Sequence, residues 1–314
     1  MKALAIDLGG THATCAVVRD GEILASRVID LDCTNGLASA LPLFSSALRE
    51  AAQNAGVETH TCDGLALSFC GLVDARTGRV VSTNKKYDDA VGIDLPAWSC
   101  KEFGLPFRIE NDARMALLGE WYAGGGRGYD NIVMFTLGTG IGGAAMVEGR
   151  LLRGKHFQAG CLGGHFPVLF TGRKCTCGNV GCAEAEASGW AIPEVARATP
   201  GFESSTLAAG EVTFKAVFQA AAAGDPVAVT VRDRCLHVWA ANSVAAIHAY
   251  DPELIIFGGG VMKSADVILP YVERFVHEHA WTPWGKVAVR SAELANNAAL
   301  LGAVPLLTEK FGSC

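Results

Sequence analysis

The chain contains no apolar run near the roughly 20 residues needed to cross a bilayer, so no membrane partner is expected. Strand-like apolar sequence begins at Ala3, which leaves no room for the basic region and apolar core of a secretory signal, and a cytoplasmic protein is expected. Basic residues are in deficit: 26 Lys and Arg stand against 32 Asp and Glu, a net charge of −6. A protein that works on a nucleic-acid backbone needs clustered cations to neutralise phosphates, so no nucleic-acid partner is expected. By the same balance, a bound nucleotide would need a divalent cation. No Gly-x-x-x-x-Gly-Lys-Ser/Thr segment follows a strand-like run, which excludes a P-loop. Low-complexity segments and short-period repeats are absent as well. The 11 cysteines are an odd number, mostly scattered singly through apolar segments around Cys15, Cys70 and Cys235, where a thiol behaves as a small hydrophobe. That is the usage of a reducing compartment, and no disulfide framework is expected.

What is present is 314 residues of 50% hydrophobic content, enough for two domains of ordinary size with cores of their own. Two glycine-rich segments echo each other. Ala3-Leu4-Ala5-Ile6 leads into Asp7-Leu8-Gly9-Gly10-Thr11 and out through residues 13–18 to a turn at Asp20-Gly21. Ile132-Val133-Met134-Phe135 leads into Leu137-Gly138-Thr139-Gly140-Ile141-Gly142-Gly143 and out through Ala144-Ala145-Met146-Val147 to a turn at Glu148-Gly149. A strand, a tight glycine turn and a returning strand aim several backbone N–H groups into one concavity with no Cβ in the way, which suits a phosphate. One such hairpin is ordinary structure, whereas two with matched flanks point to two related halves holding a phosphorylated ligand. The second also contains the Gly138-x-Gly140-x-x-Gly143 spacing of dinucleotide-binding folds, but a strand-like run follows where that motif requires a helix, so a Rossmann site is rejected.

Between and beyond the hairpins, strand and helix alternate. Helices are expected over residues 41–55, 113–122, 212–223, 227–250 and 264–279, and strands over residues 65–69, 107–109 and 254–257. The three glycines Gly124, Gly125 and Gly126 read as a hinge between lobes. Asp112 follows a strand and opens a helix, where a carboxylate can take a proton from a substrate hydroxyl; the same position equally suits a helix N-cap. Cys175-x-Cys177-x-x-x-x-Cys182, interleaved with Gly178 and Gly181, packs three thiols into a glycine-turned surface loop, with His165 as fourth ligand of a tetrahedral Zn²⁺. Four protein ligands leave no open position, so the site reads as structural. Gly258-Gly259-Gly260 follows a strand and precedes a helix, and its bare backbone could lie against an adenosine.

Together these segments resemble the ROK family of sugar kinases and related regulators, within the actin-like ATPase superfamily, over residues 3–304. The resemblance rests on Ile6-Asp7-Leu8-Gly9-Gly10-Thr11, Glu110-Asn111-Asp112-Ala113, residues 137–143, His165 with Cys175-x-Cys177-Gly178-x-x-Gly181-Cys182-x-Glu184, and Asp251-Pro252 with Gly258-Gly259-Gly260. It implies an α/β, two-lobed actin-like ATPase (ribonuclease H-like) fold with a duplicated βββαβα core and a cleft between lobes. The N-terminal lobe would span residues 1–123, with a C-terminal helix 297–314 packing back onto it, and the larger C-terminal lobe residues 124–296 with the zinc loop 165–184. The resemblance further implies transfer of the γ-phosphoryl of ATP to a hydroxyl of a monosaccharide, hexose or close derivative, with Asp112 as general base. Asp7, Gly9, Gly10, Thr11, Gly138, Thr139, Gly140, Gly258, Gly259 and Gly260 would hold the nucleotide and its Mg²⁺, Asp7 reaching the metal through water. Gly71, Asn84, Asn111, Asp112, His165 and Glu184 would contact the sugar, His165 from its second nitrogen while the first binds zinc. A homodimer or homotetramer is implied as well.

The chain departs from the family pattern in three places. Family hexokinases carry Ala-Gly-Glu-x-Gly-His, whose Glu accepts hydrogen bonds from the sugar, whereas residues 159–165 here read Ala-Gly-Cys-Leu-Gly-Gly-His. Loss of that acceptor would cost roughly 1–3 kcal/mol with the usual hexose unless another group pairs with its hydroxyls. Residues 85–92 are longer than the usual connection, so Tyr87, Asp88 and Asp89 are candidates for compensating sugar contacts, against a reading of simple solvated charge. His12 stands where a Lys often follows the first glycine turn. The alternatives are an N-acetylhexosamine kinase and a sugar-sensing regulator; regulators add an N-terminal helix-turn-helix and tend to lose the ATP-binding signature, which is intact here.

Overall fold

The computed structural model describes residues 1–83 and 85–309, which divide into two compact units. The first comprises Met1–Gly128, Arg153–Ala159 and the chain from Glu293 onward; the second comprises Tyr129–Leu152 and Gly160–Ala292.

In the first unit, β1 (Lys2–Leu8), β2 (His12–Arg19) and β3 (Glu22–Asp30) form a meander, followed by α1 (Leu37–Asn54) and β4 (Leu65–Phe69). A small hairpin of β5 (Gly71–Asp74) and β6 (Arg79–Thr83) leads to α2 (Leu95–Phe103), β7 (Phe107–Asn111) and α3 (Asp112–Ala123). The sheet order is β3-β2-β1-β4-β7, antiparallel across the meander and parallel from β1 to β7. Because side chains alternate across a strand, Leu4, Ile6 and Leu8 share one core with Phe44 and Leu48 of α1. Ala3 and Ala5 are equally buried on the other face.

The second unit repeats the plan. β8 (Ile132–Leu137), β9 (Ile141–Val147) and β10 (Arg150–Leu151) form its meander, and the short helices α4 (Ala183–Ala187) and α5 (Ile192–Arg197) follow. Then come α6 (Phe214–Ala222), α7 (Pro226–Tyr250), β11 (Leu254–Gly258), α8 (Ala265–His279) and β12 (Ala288–Ser291). Its sheet runs β10-β9-β8-β11-β12, the order of the first sheet element for element. β9 begins at Ile141, inside the Gly138–Gly143 spacing, so a strand stands where a Rossmann site requires a helix.

The last helices, α9 (Ala298–Leu301) and α10 (Ala303–Thr308), belong to the first unit and pack on α3. The crossing is close enough to exclude side chains: a Cβ on Gly119 would stand 1.9 Å from the Ala298 carbonyl oxygen, and one on Gly302 2.3 Å from that of Met115. The buried Glu120 carboxylate ties the glycines after α3, accepting from Gly125 N at 2.9 Å while also accepting from Glu293 N at 3.1 Å and Leu294 N at 2.8 Å. Among the described residues, no helix is long and apolar enough to cross a membrane. Gly119→Ala should destabilise the protein by about 1–3 kcal/mol through overpacking against backbone, whereas Gly210→Ala, where an added Cβ meets nothing within 4 Å, should leave the thermal midpoint unchanged. Equal midpoints in a melting experiment on the two variants would show that the close crossing does not constrain the fold.

Candidate active site

In the first unit the glycine turn joins β1 to β2, closed by Gly9 N donating to His12 O at 3.0 Å. Asp7 ends β1 with its side chain beside β4, where the pairing register sets it opposite Ser68. The Ser68 hydroxyl donates to Asp7 Oδ1 at 2.8 Å. Burial nevertheless pushes the Asp7 carboxyl up to about 6, with the Asp112 charge adding to the rise and the Ser68 hydrogen bond opposing it.

β7 delivers Asn111 and Asp112 to the start of α3. Asn111, not Asp112, is the N-cap: its Oδ1 accepts from Arg114 N at 3.4 Å, while its Nδ2 donates to Gly71 O at 3.2 Å and Asp112 Oδ1 at 2.9 Å. Asp112 is the first helical residue, and its Oδ1 also accepts from Ala113 N at 2.8 Å. Among the described residues Oδ2 accepts no hydrogen bond. The Asp112 side chain reaches solvent, yet the protein packed around it desolvates the carboxyl enough to raise it above the usual carboxylate range. Amide donors and the Lys86 charge hold the rise back.

The residue before this pair is fully buried. Glu110 accepts from Asn111 N at 2.9 Å, from Arg114 at 3.4 Å and from Arg153 Nε at 2.5 Å. Arg153 also meets Glu309 through two nitrogens, each at 2.6 Å. Arg114 spends its other nitrogen on the carbonyls of Phe157 at 3.0 Å and Ala159 at 2.6 Å. Sequence reasoning assigned no role to Glu110, Arg114 or Arg153; the opposite charges of Glu110 and Arg114 at a strand-to-helix junction were an available signal, whereas Arg153 lies 43 positions further on.

The loop over residues 85–92 turns inward. Tyr87 is 1% exposed and its hydroxyl donates to Gly9 O at 2.7 Å. Asp89 accepts from Leu37 N at 2.6 Å and Ala38 N at 2.9 Å, capping α1, and Asp88 accepts from the Thr83 hydroxyl at 2.7 Å. All three side chains have partners within the protein. Asn84, expected to contact sugar, lies outside the described residues.

The second glycine turn, in the second unit, is shaped by Glu184 of α4. Glu184 Oε2 accepts from Ile141 N at 2.9 Å, Oε1 accepts from Trp190 Nε1 at 3.3 Å, and a Cβ on Gly140 would stand 2.7 Å from Oε2. Gly189 N and Trp190 N donate to the carbonyls of Gly138 at 2.9 Å and Thr139 at 3.0 Å. Gly259 reaches this turn as well: at φ 92° its Cβ position lies 2.3 Å from Leu137 O. At Gly138 and Gly260, by contrast, an added Cβ would meet nothing within 4 Å.

Two residues before Glu184, the cysteine loop closes. His165, Cys175, Cys177 and Cys182 bring one ligand atom each within 4.8 Å of one another. Cys175 Sγ lies 3.5 Å from His165 Nδ1, and the sulfurs of Cys177 and Cys182 are 3.6 Å apart, spacings close to the edges of a tetrahedron with Zn–S bonds of about 2.3 Å. Cys175 and Cys182 are 4% and 0% exposed, so the expected surface loop in fact buries two of its thiols, and convergence rather than exposure argues for an ion. Burial pushes the Cys182 thiol up to about 12; a cation would reverse that by favouring thiolates. The donor set of three thiols and one imidazole fits Zn²⁺.

The sequence profile of the ROK family matches residues 3–310. The glucokinase of Thermotoga maritima is 32% identical over 99% of this chain and 99% of its own length. Among solved structures, the ROK hexokinase of Thermus thermophilus superposes with a TM-score of 0.81 at 29% identity, over 98% of this chain and 97% of its own. A ROK family glucokinase of Streptomyces griseus, solved with glucose and AMPPNP, gives a TM-score of 0.77 at 28% identity over 98% and 99%. By sequence and by fold, with its duplicated meanders and matched sheet orders, the chain belongs to the ROK family.

Proposed function

We infer that this carbohydrate kinase transfers the γ-phosphoryl of ATP to a hydroxyl of a hexose or close derivative, with Asp112 as general base. The observation that carries the reading is the Asp112 carboxylate itself. It is fixed through Oδ1 at the head of α3, has Oδ2 free of hydrogen bonds among the described residues, and is raised toward the pH at which a base works well. As the hydroxyl oxygen attacks the γ-phosphorus, its proton passes to Oδ2 and the bond from phosphorus to the bridging oxygen of ADP breaks. Little covalent help is needed in such transfer; alignment and charge stabilisation dominate.

Gly9, Gly10 and Thr11, and in the second unit Gly138, Thr139 and Gly140 with Gly258, Gly259 and Gly260, would lie along the phosphates, the Gly9 and Gly138 amides being already spent within their own turns on His12 O and Gly140 O. The open space at Gly138 and Gly260 supports this, since packing does not explain the missing side chains there. Asp7, a buried carboxylate with a raised pKa beside a second acid, fits an oxygen-preferring cation. Mg²⁺ there would neutralise phosphate charge. Gly71, Asn84, Asn111 and Asp112 would meet the sugar, with His165 and Glu184 contributing from the zinc loop. Zn²⁺ held by His165, Cys175, Cys177 and Cys182 would fix that loop and, through α4, the Glu184 carboxylate that shapes the second glycine turn. The cysteine in place of glutamate at position 161 favours an acceptor other than plain glucose, N-acetylhexosamines included.

ADP release with ATP and Mg²⁺ across hexoses, ketoses and N-acetylhexosamines tests the reading. Asp112→Asn should lower kcat by about 100- to 10,000-fold, the usual worth of a general base, while acceptor binding by calorimetry stays within a few-fold. No turnover with any sugar from folded, zinc-loaded protein would favour a sugar-sensing regulator. The base works only when ionised, so kcat/KM should fall as pH drops through its raised pKa. Burial raises both Asp112 and Asp7, the latter to about 6, so an acid limb set by either should lie above the ordinary carboxylate range. A limb near pH 4 would mean that neither carboxyl governs the rate. Cys177→Ser should bind less than one zinc per chain by metal analysis, melt about 5 °C or more lower, and weaken sugar binding more than nucleotide binding. Full metal content with unchanged melting would remove zinc from the account.

A further inference from the structure

One cation in the first unit has no role in the account above. The Lys86 side chain lies across the bare Cα of Gly10: a Cβ there would stand 3.3 Å from Lys86 Cε and 3.4 Å from Nζ. Its ammonium also acts electrostatically on the Asp112 carboxyl and on the Cys70 thiol. It is exposed, and among the described residues no carboxylate lies within 4.0 Å to pair with it. An unpaired ammonium thus lies against a glycine turn and within electrostatic reach of a carboxylate.

The backbone pays to keep it there. Lys85 and Tyr87, on either side, both adopt left-handed conformations at φ 57° and 55°, which cost non-glycine residues roughly 1–3 kcal/mol each and persist only where surroundings enforce them. Here they are enforced by anchors on the glycine turn itself. The Tyr87 hydroxyl donates to Gly9 O at 2.7 Å, Tyr87 N donates to Cys33 O at 3.2 Å, and Cys33 N donates to Gly10 O at 3.3 Å. The turn and the loop that carries Lys86 therefore form one hydrogen-bonded piece.

We propose that Lys86 is a phosphate-contacting residue whose ammonium binds the non-bridging oxygens of the phosphoryl group in transit beside Gly10 and Asp112. The proposal rests on the phosphoryl-transfer reading. In the step, the acceptor O–P bond forms as the bridging O–P bond to ADP breaks, and the acceptor proton goes to Asp112. Lys86 keeps its protons and offsets charge on the equatorial oxygens, where such stabilisation is most effective. The groups facing Asp112 are the Asp7 carboxyl, the Cys70 thiol and Lys86, together with the amides of Asn111 and Ala113. Lys86 is the cation among them, so its removal should also raise the Asp112 carboxyl further.

The test compares Lys86→Met and Lys86→Arg with wild type, using ATP, Mg²⁺ and the best acceptor from the sugar panel. Lys86→Met should lose about 10- to 100-fold in kcat with acceptor KM within about threefold and an unchanged melting midpoint. Its acid limb in kcat/KM should move to higher pH, because the Lys86 charge that lowers the Asp112 carboxyl is gone. Lys86→Arg should recover a substantial part of kcat and the wild-type limb, because it restores the charge. A Lys86→Met variant with wild-type kcat and pH profile would overturn the proposal alone, as would equal losses in both variants accompanied by a lower melting midpoint, which mark a structural loop. Wild-type protein without sugar-dependent turnover would overturn the kinase reading first, and this proposal with it.

Discussion

The Glu110 carboxylate is fully buried, and a charge so placed costs several kcal/mol unless it is matched by partners of good geometry. The match here is not local. It recruits Arg114 one helical turn away and Arg153 from a distant segment, and Arg153 in turn holds Glu309 near the end of the described chain. Arg114 adds the carbonyls of Phe157 and Ala159. One buried charge therefore ties β7, the start of α3, the segment Arg153–Ala159 and the C-terminal residues into one body. Asn111 and Asp112 come next in sequence and inherit that rigidity, which the base proposed at Asp112 would need to meet a hydroxyl at fixed distance.

The same device recurs through the molecule. Backbone amides at turns and helix starts have no partner in regular structure, and buried ones must be satisfied. Glu120 satisfies those of Gly125, Glu293 and Leu294; Asp89 those of Leu37 and Ala38; Glu184 that of Ile141. An acidic chain thus turns part of its charge inward, onto amides. Glu184 extends the device to the cysteine loop, because α4 begins directly after Cys182 and places the carboxylate in the second glycine turn. Order in the thiol cluster and order in that turn are consequently one property.

Local signals carried the sequence reading far. The duplicated glycine hairpins, the alternation of the meanders, the cysteine spacing and the position of Asp112 after a strand are all short-range, and the strands β4, β7 and β11 and the helices α3, α7 and α8 appear within a residue or two of where periodicity placed them. What sequence could not show is what distant residues do. Helix α1 begins at Leu37 rather than near residue 41 because Asp89 caps it from 52 residues away. Tyr87, one of three candidates for a sugar contact, is buried with its hydroxyl on Gly9 O, a partner 78 residues away that no local pattern shows. The cap of α3 falls one residue earlier than the position weighed for Asp112, because Asn111 has the extended backbone that a cap requires. Arg153 and Glu309 are 156 positions apart, and no periodicity links them.

Electrostatics sets the last constraint. The chain carries a net charge of −6, and two raised carboxyls, Asp7 and Asp112, act on each other beside the first glycine turn. At the proposed site a nucleoside triphosphate would meet repulsion at long range, so its affinity would come from short-range donors: amides at glycine turns, the positive end of α3 and single well-placed cations. Desolvation serves both sides of this balance. It raises the carboxyls toward the pH at which a base can accept a proton, and it strengthens each short-range contact by lowering the local dielectric. A wetter site would weaken both at once, so on the proposed reading the packing that buries Glu110 and seats Tyr87 against Gly9 would serve the chemistry as well as the fold.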